Sequence, residues 1–212
     1  MTEPNPGAES KPSRAEASRQ RRSARAIAAE RQRKQTATRT VAIAIATIAL
    51  VAIVGFVLFN RQQASMAVPE GIQDFAYQGA QHSEAPVSYS EHPPAGGVHH
   101  PTWQNCGYYA APIPNETAVH SLEHGAVWIT YQPDLPADQV QTLQELAEAQ
   151  SFILVSPMDD LPSPVVASAW NHQLQLQSAD DPGLDGFIRL YRLSREAPEP
   201  GAACAGGSSA TL

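Results

Sequence analysis

Six of the chain's seven histidines fall within one stretch: His82, His92, His99, His100, His120 and His124, with only His172 lying elsewhere. Neutral imidazole is the commonest side-chain ligand of transition metals. The stretch is interrupted by Pro86, Pro93, Pro94, Pro101, Pro112 and Pro114, so any site there is expected to be built by loops. Its sharpest pattern is Val119-His120-Ser121-Leu122-Glu123-His124-Gly125, which fits H-x-x-E-H, the inverted zinc-protease motif. In that motif a helix brings two histidines one turn apart onto one face, and the Glu activates water. His120 and His124 share a face in a helical turn and equally in a strand, because their separation is both i, i+4 and even. Glu123 joins them only in a helix. Gly125 stops any helix here, and Pro112 and Pro114 leave little room before it, which weighs against a protease. The plainer reading of the pair is two hydrogen-bonded histidines that order a loop. His99-His100, directly after Gly96-Gly97 and Val98, shifts the balance towards a site.

The candidate ligands are therefore His99, His120 and His124, with His100, Glu123 or Cys106 as a fourth. Copper leads, because imidazole suits it and it heads the divalent affinity order; zinc fits the same ligands. The two cysteines, Cys106 and Cys204, are expected to pair in an oxidising compartment. The alternative is that Cys106 is a soft copper ligand beside the histidines. Other chemistries find no support. There is no G-x-S-x-G, no G-x-G-x-x-G and no G-x-x-x-x-G-K-[ST], so neither a serine hydrolase nor nucleotide binding is indicated.

These residues sit in an electrostatically divided chain. Residues 1–39 carry ten Lys and Arg against four acids, a net +6, and residues 62–212 carry three Arg against seventeen acids, a net −14; with Arg61 this gives the overall −7. Between them residues 41–59 contain no charge and no proline. A helix of about 20 such residues spans a bilayer core of about 30 Å. A transmembrane helix is expected over 40–60, with the basic tail 1–39 cytoplasmic and the acidic part outside, because basic residues gather on the inner side. A cleaved signal peptide, cut near Ser65-Met66-Ala67, is the competing reading; the apolar run is longer than the usual 7–15 residues and the basic region before it is too long. The tail has helix-forming composition without an apolar stripe, and it suits anionic lipid. Tethered to a membrane and lacking aromatics, it does not read as a nucleic-acid binder.

Residues 61–80 read as a stalk and lead-in, 81–205 as the outer domain and 206–212 as a loose tail. Within the domain a Pro/His-rich loop region comes first. Ala126–Tyr131 reads as a strand and Pro136–Gln150 as an amphipathic helix with Val140, Leu143, Leu146 and Ala147 on one face and Asp134 as its candidate cap. Phe152–Ser156 is a short strand and Val165–Gln177 a longer one. Leu184–Leu193 reads as a second helix with Asp180, Asp181 and Asp185 at its positive end. The order β-α-β-β-α predicts a small α+β domain with helices packed on a sheet, large enough for one core.

Three segments together, Pro93-Pro94-Ala95-Gly96-Gly97-Val98-His99, Trp103-Gln104-Asn105-Cys106-Gly107-Tyr108-Tyr109 and Val119 to Tyr131, resemble the DUF3105 family of bacterial, largely actinobacterial proteins. The resemblance covers roughly residues 65–205. It implies a membrane-anchored extracytoplasmic domain and supplies no activity. The family pattern reads PPTSG; here Ala95-Gly96 stand where it has Thr-Ser, which leaves His99 aligned and no hydroxyl at those positions. Three functions compete. One is a metal-binding module for copper or zinc. A second is a metal-dependent hydrolase with Glu123 as base, which requires a helical turn at 119–124. The third is a non-catalytic domain that contacts another envelope protein.

Overall fold

The computed structural model describes residues 45–60 and 68–212, with six isolated positions before them (22, 25, 32, 33, 39 and 43). The chain divides into two units at Leu58/Phe59. Residues 45–60 are helical, with Ile45, Ile48, Val51, Ile53, Phe56 and Leu58 exposed. Among the described residues no helix is long and apolar enough to cross a membrane. The expected tail 1–39, the start of the expected span 40–60 and the first part of the stalk lie largely outside the described residues.

The second unit is an α+β domain around one six-stranded sheet. Its strands are β1 (Gln73–Asp74), β2 (Gly107–Tyr108), β3 (Val127–Tyr131), β4 (Ile153–Pro157), β5 (Val165–Ala169) and β6 (His172–Leu176), and its helices α1 (Asn115–Glu123), α2 (Ala137–Ala149) and α3 (Pro182–Tyr191). The order across the sheet is β1-β6-β5-β3-β4-β2. β3 and β4 are parallel, joined through α2, and β2 pairs parallel with β4; β5 lies antiparallel between β3 and β6, and β1 closes the other edge antiparallel to β6.

The central strands are apolar at nearly every position because the sheet is covered on both faces. Side chains alternate across a strand. Val127, Ile129, Ile153, Val155, Val165 and Ala167 therefore pack with Leu143, Leu184, Phe187 and Ile188 of α2 and α3. Trp128, Leu154 and Val166 point the other way, onto Ala118, Val119 and Leu122 of α1. The one hydrogen-bonding atom of Trp128 on this second face is satisfied by the Ser156 hydroxyl at 3.0 Å.

Several expectations need correction. The run 165–177 is two strands, not one: Asn171 adopts φ +65°, a conformation Asn tolerates better than most residues, and turns β5 back into β6. Its side chain also holds the lead-in, accepting from the Tyr77 N–H at 2.6 Å. Within that lead-in Gln73–Asp74 is the edge strand β1, paired with β6. Asp134 does not cap α2, whose N-cap is Pro136 with no side-chain cap, whereas Asp181 does cap α3 by accepting from Gly183 N–H. A helix not foreseen, α1, begins directly after Pro114. Proline is compatible with a helix start because its φ is already helical and the first N–H groups lack intrahelical partners anyway.

The tail expected to be loose is stitched down. Cys106 and Cys204 form the expected disulfide, so Cys106 offers no thiolate to a metal. Beyond it Ser208 N–H donates to Trp103 O, Asn105 N–H to Ser208 O, and Leu212 N–H to Pro112 O, while the Gln104 amide donates to Ala210 O. In each of these the tail contributes a backbone group, so a polar Gly/Ser-rich composition is no obstacle to them. Removing the cross-link as Cys106→Ser/Cys204→Ser should lower the unfolding free energy by about 2–5 kcal/mol. In hydrogen exchange the amides of 204–212 should lose protection before those of β3 and β4; equal protection of the tail in the double variant would show that the disulfide does not hold it.

Candidate metal centre

The site is assembled around the C-terminal end of α1. Gly125, at φ +89°, ends the helix with paired bonds, Gly125 N–H to Leu122 O and Ala126 N–H to Ser121 O. This closure is available at low cost only to glycine. A Cβ at Gly125 would also stand 3.1 Å from the Leu193 backbone. Two further carbonyls at the helix end are taken by the chain that follows α3: Glu199 N–H donates to Glu123 O and Gly201 N–H to His124 O. The polar segment 196–204 is thus a strap across the helix end, satisfying groups that would otherwise be orphaned.

Because 115–123 is helical, Glu123 does lie near the face of His120. Its carboxylate turns towards residues outside the motif. One oxygen, Oε1, accepts from the Ala80 N–H at 2.5 Å. The other, Oε2, stands 2.8 Å from His99 Nε2 and 3.9 Å from His82 Nε2. His82, His99, His120 and Glu123 each offer one ligand atom, and the four atoms all lie within 4.8 Å of one another. Metal–ligand bonds of about 2.0–2.1 Å in a tetrahedron place ligand atoms roughly 3.4 Å apart, so closing this group on an ion takes only small ring movements. His99 and Glu123 are fully buried.

The hydrogen bonds behind the rings decide which nitrogens face the centre. His99 Nδ1 is 2.8 Å from Gly97 O, His120 Nδ1 2.6 Å from His100 O, and His124 Nδ1 2.6 Å from Ala203 O. A carbonyl oxygen only accepts, so in each ring Nδ1 carries the proton. In a neutral ring this leaves the lone pair on Nε2, directed inwards, and an imidazole oriented by a carbonyl at its far nitrogen is the usual second-shell arrangement of a metal-bound histidine. Two contacts are then unfavourable between neutral rings and a carboxylate alone. His99 Nε2 and Glu123 Oε2 are close, yet neither has a properly directed hydrogen bond. His120 Nε2 and His124 Nε2 face each other at 3.0 Å. Each contact is relieved by a further proton or by a metal ion.

The electrostatics favour the metal-binding forms. Burial pushes the His120 pKa down, the nearby His124 and His99 add to this, and the opposing pull of the His100 carbonyl and Glu123 is smaller; the result is about 4. Burial acts on Glu123 in the opposite sense, raising it, but His99, the Ala80 N–H and His120 together outweigh burial and hold the carboxyl at about 2. At neutral pH His120 is a neutral imidazole and Glu123 an anionic carboxylate.

Of the residues expected to form the site, His99, His120 and Glu123 are brought together. His124 sits beside His120, its ring centroid 4.6 Å away. The ring of His100 is not part of the group: its Nδ1 accepts from Thr102 N–H at 2.9 Å, and it is the carbonyl of His100 that orients His120. His82 is the addition. The sequence shows it only as one more histidine of the cluster; what places it is a bridge between Gln81–Ser83 and His99, in which His99 N–H donates to Gln81 O and Ser83 N–H to His99 O. Trp103 and Trp170 flank the cluster, Trp103 at 5.9 Å from His120 and Trp170 at 5.8 Å from His99 between ring centroids. A cleft of about 450 Å³ lies nearby, lined by Ser83, His100, Thr102 and Glu116 among others, but none of the four clustered ligands lines it.

The family model described as "Protein of unknown function (DUF3105)" matches residues 80–206. No curated protein and no solved structure matches the chain.

The two depressed pKa values set the acid response of the metal-free protein. An unfolded His120 protonates near 6.5 and the folded one near 4, so between these values the unfolded chain binds the extra proton. Stability from this group is complete above about pH 6.5 and is lost as pH falls towards 4; Glu123 adds a loss between about 4.5 and 2. The urea midpoint of the apo-protein should fall on acidification from pH 7 to 4, and less steeply in His120→Asn. A midpoint that rises towards pH 4 would contradict this assignment.

Proposed function

The chain belongs to the DUF3105 family, and we propose that its folded domain is a transition-metal-binding module held at the outer face of a membrane. The observation that carries this reading is the inward convergence of His82, His99, His120 and the Glu123 carboxylate, with His99 and His120 locked by backbone carbonyls at their far nitrogens. Copper(II) is the favoured ion and zinc the second. Three imidazoles and a carboxylate suit both, and copper heads the affinity order. With Cys106 in a disulfide the set has no thiolate, which turns the preference from copper(I) towards divalent ions.

Membrane attachment through residues 40–60, with the basic tail 1–39 inside, is supported by the uncharged run and the charge asymmetry on either side of it. The disulfide supports an oxidising location for the domain. A hydrolase is the weaker reading, although the helical turn it requires is present. Glu123 converges with the three imidazoles as a fourth donor, four protein ligands would make a closed site, and the neighbouring cleft is not lined by any of them. An interaction domain for another envelope protein remains the second reading, favoured by the way the carbonyl bonds of His120 and His124 tie the end of α1 to two different segments, at His100 and Ala203.

The test is metal content by elemental mass spectrometry on the full chain, purified in detergent from an oxidising compartment, before and after incubation with copper(II) or zinc(II). About one equivalent is expected in the parent and none in His99→Ala/His120→Ala, as for a site whose ligands must act together. Copper(II) should also quench the fluorescence of the flanking Trp103 and Trp170 in the parent only. A folded, disulfide-bonded parent that takes up neither metal would leave the interaction domain as the reading to pursue.

A further inference from the structure

Resting on that reading, the geometry points to His82 as the exchangeable ligand of the centre, the position at which the ion is handed to and from a small donor bearing imidazole, carboxylate or amine groups. The four ligands are not held alike. His99 and Glu123 side chains are fully buried, and His120 is 5% exposed as a residue, whereas the His82 side chain is 40% exposed. His99 and His120 have Nδ1 fixed by a backbone carbonyl, and Glu123 has Oε1 fixed by the Ala80 N–H. Among the described residues the His82 ring makes no such bond. Its contacts are the faces and edges of two other ligands, His99 at 4.7 Å and His120 at 5.1 Å between centroids.

The backbone beneath this ring is nevertheless anchored. The paired bonds with His99 fix the position of residue 82, and Ala80, two residues earlier, is tied to Glu123. The ring can therefore rotate away about its own side-chain torsions and return without rearranging the domain. The three remaining ligands keep the ion while an incoming donor takes the vacated position. The step is a ligand substitution: the metal–Nε2 bond to His82 breaks, a bond to the incoming lone pair forms, His82 leaves as neutral imidazole, and no electron changes hands. Such a path through one exposed ligand spares the cost of exposing the Glu123 carboxylate, which like His99 is fully buried.

The test loads the full chain in detergent with zinc(II) or copper(II) alone and follows transfer to a coloured pyridylazo chelator. In the parent the transfer rate should rise in proportion to chelator concentration, as substitution at an accessible position requires. His82→Ala and His82→Gln should still bind about one equivalent yet give it up about tenfold faster or more, and added imidazole should slow the loss from His82→Ala by refilling the position. His99→Ala should retain no metal. Rates in the His82 variants equal to the parent's, a parent rate independent of chelator, or loss of binding in both His82 variants while circular dichroism stays native would each overturn the proposal. A parent that binds no metal would overturn it together with the reading beneath it, and that outcome is recognisable because the parent itself fails.

Discussion

A carboxylate withdrawn from water is tolerated only where each oxygen finds a donor or a cation, and Glu123 imposes that demand on most of the irregular chain in this domain. The lead-in supplies the Ala80 N–H to one oxygen. The Pro/Gly-rich loop brings His99 to the other, where a further proton or an ion between the two meets the demand. The C-terminal strap reaches the backbone of the same residue through Glu199 N–H. Three segments distant in sequence meet at one residue, and the helix that carries it is pressed onto the sheet by Val119 and Leu122. Without so expensive a group at the centre there would be little reason for loops of this polarity to lie close together.

The two faces of the sheet divide the labour. On one, α2 and α3 close an apolar layer around Leu143 and Phe187, with few polar atoms to satisfy. On the other, Trp128, Leu154 and Val166 form a rigid floor above which α1 and the loops arrange histidines. A polar centre is hard to hold in place by its own interactions, because imidazoles and carboxylates are equally content with water. The apolar floor supplies the positional precision, and the backbone carbonyls of Gly97, His100 and Ala203 supply the orientation.

What the sequence made legible follows the same division. The strands β3 and β4 and the helices α2 and α3 announce themselves through periodicity, because they bury regular apolar faces. The turn at Asn171 was not visible in the run 165–177, since a positive φ at a single Asn leaves the hydrophobic pattern on either side intact. Pro112 and Pro114 argued against a helix where α1 in fact begins, because proline forbids a helix interior and not its start. At the site, His120 and His124 could be paired from their spacing. His82 could not, for its place depends on a two-bond bridge to His99. The part played by His100 is hidden from the sequence, because its carbonyl, a group every residue possesses, is what orients His120. The strap was invisible for the same reason: it acts through amide groups, on which composition is silent.

The centre draws on Ala80 near one end of the domain and on Ala203, beside the disulfide, near the other. During synthesis the ribosome delivers these in order, so an unfinished chain carries the histidines of the motif long before it carries the strap that orients His124 and covers the helix end. The finished geometry thus serves as a record of completion: the end of α1 is covered and His124 is oriented only once the chain has been made through Ala203, and a prematurely terminated product would be left without both.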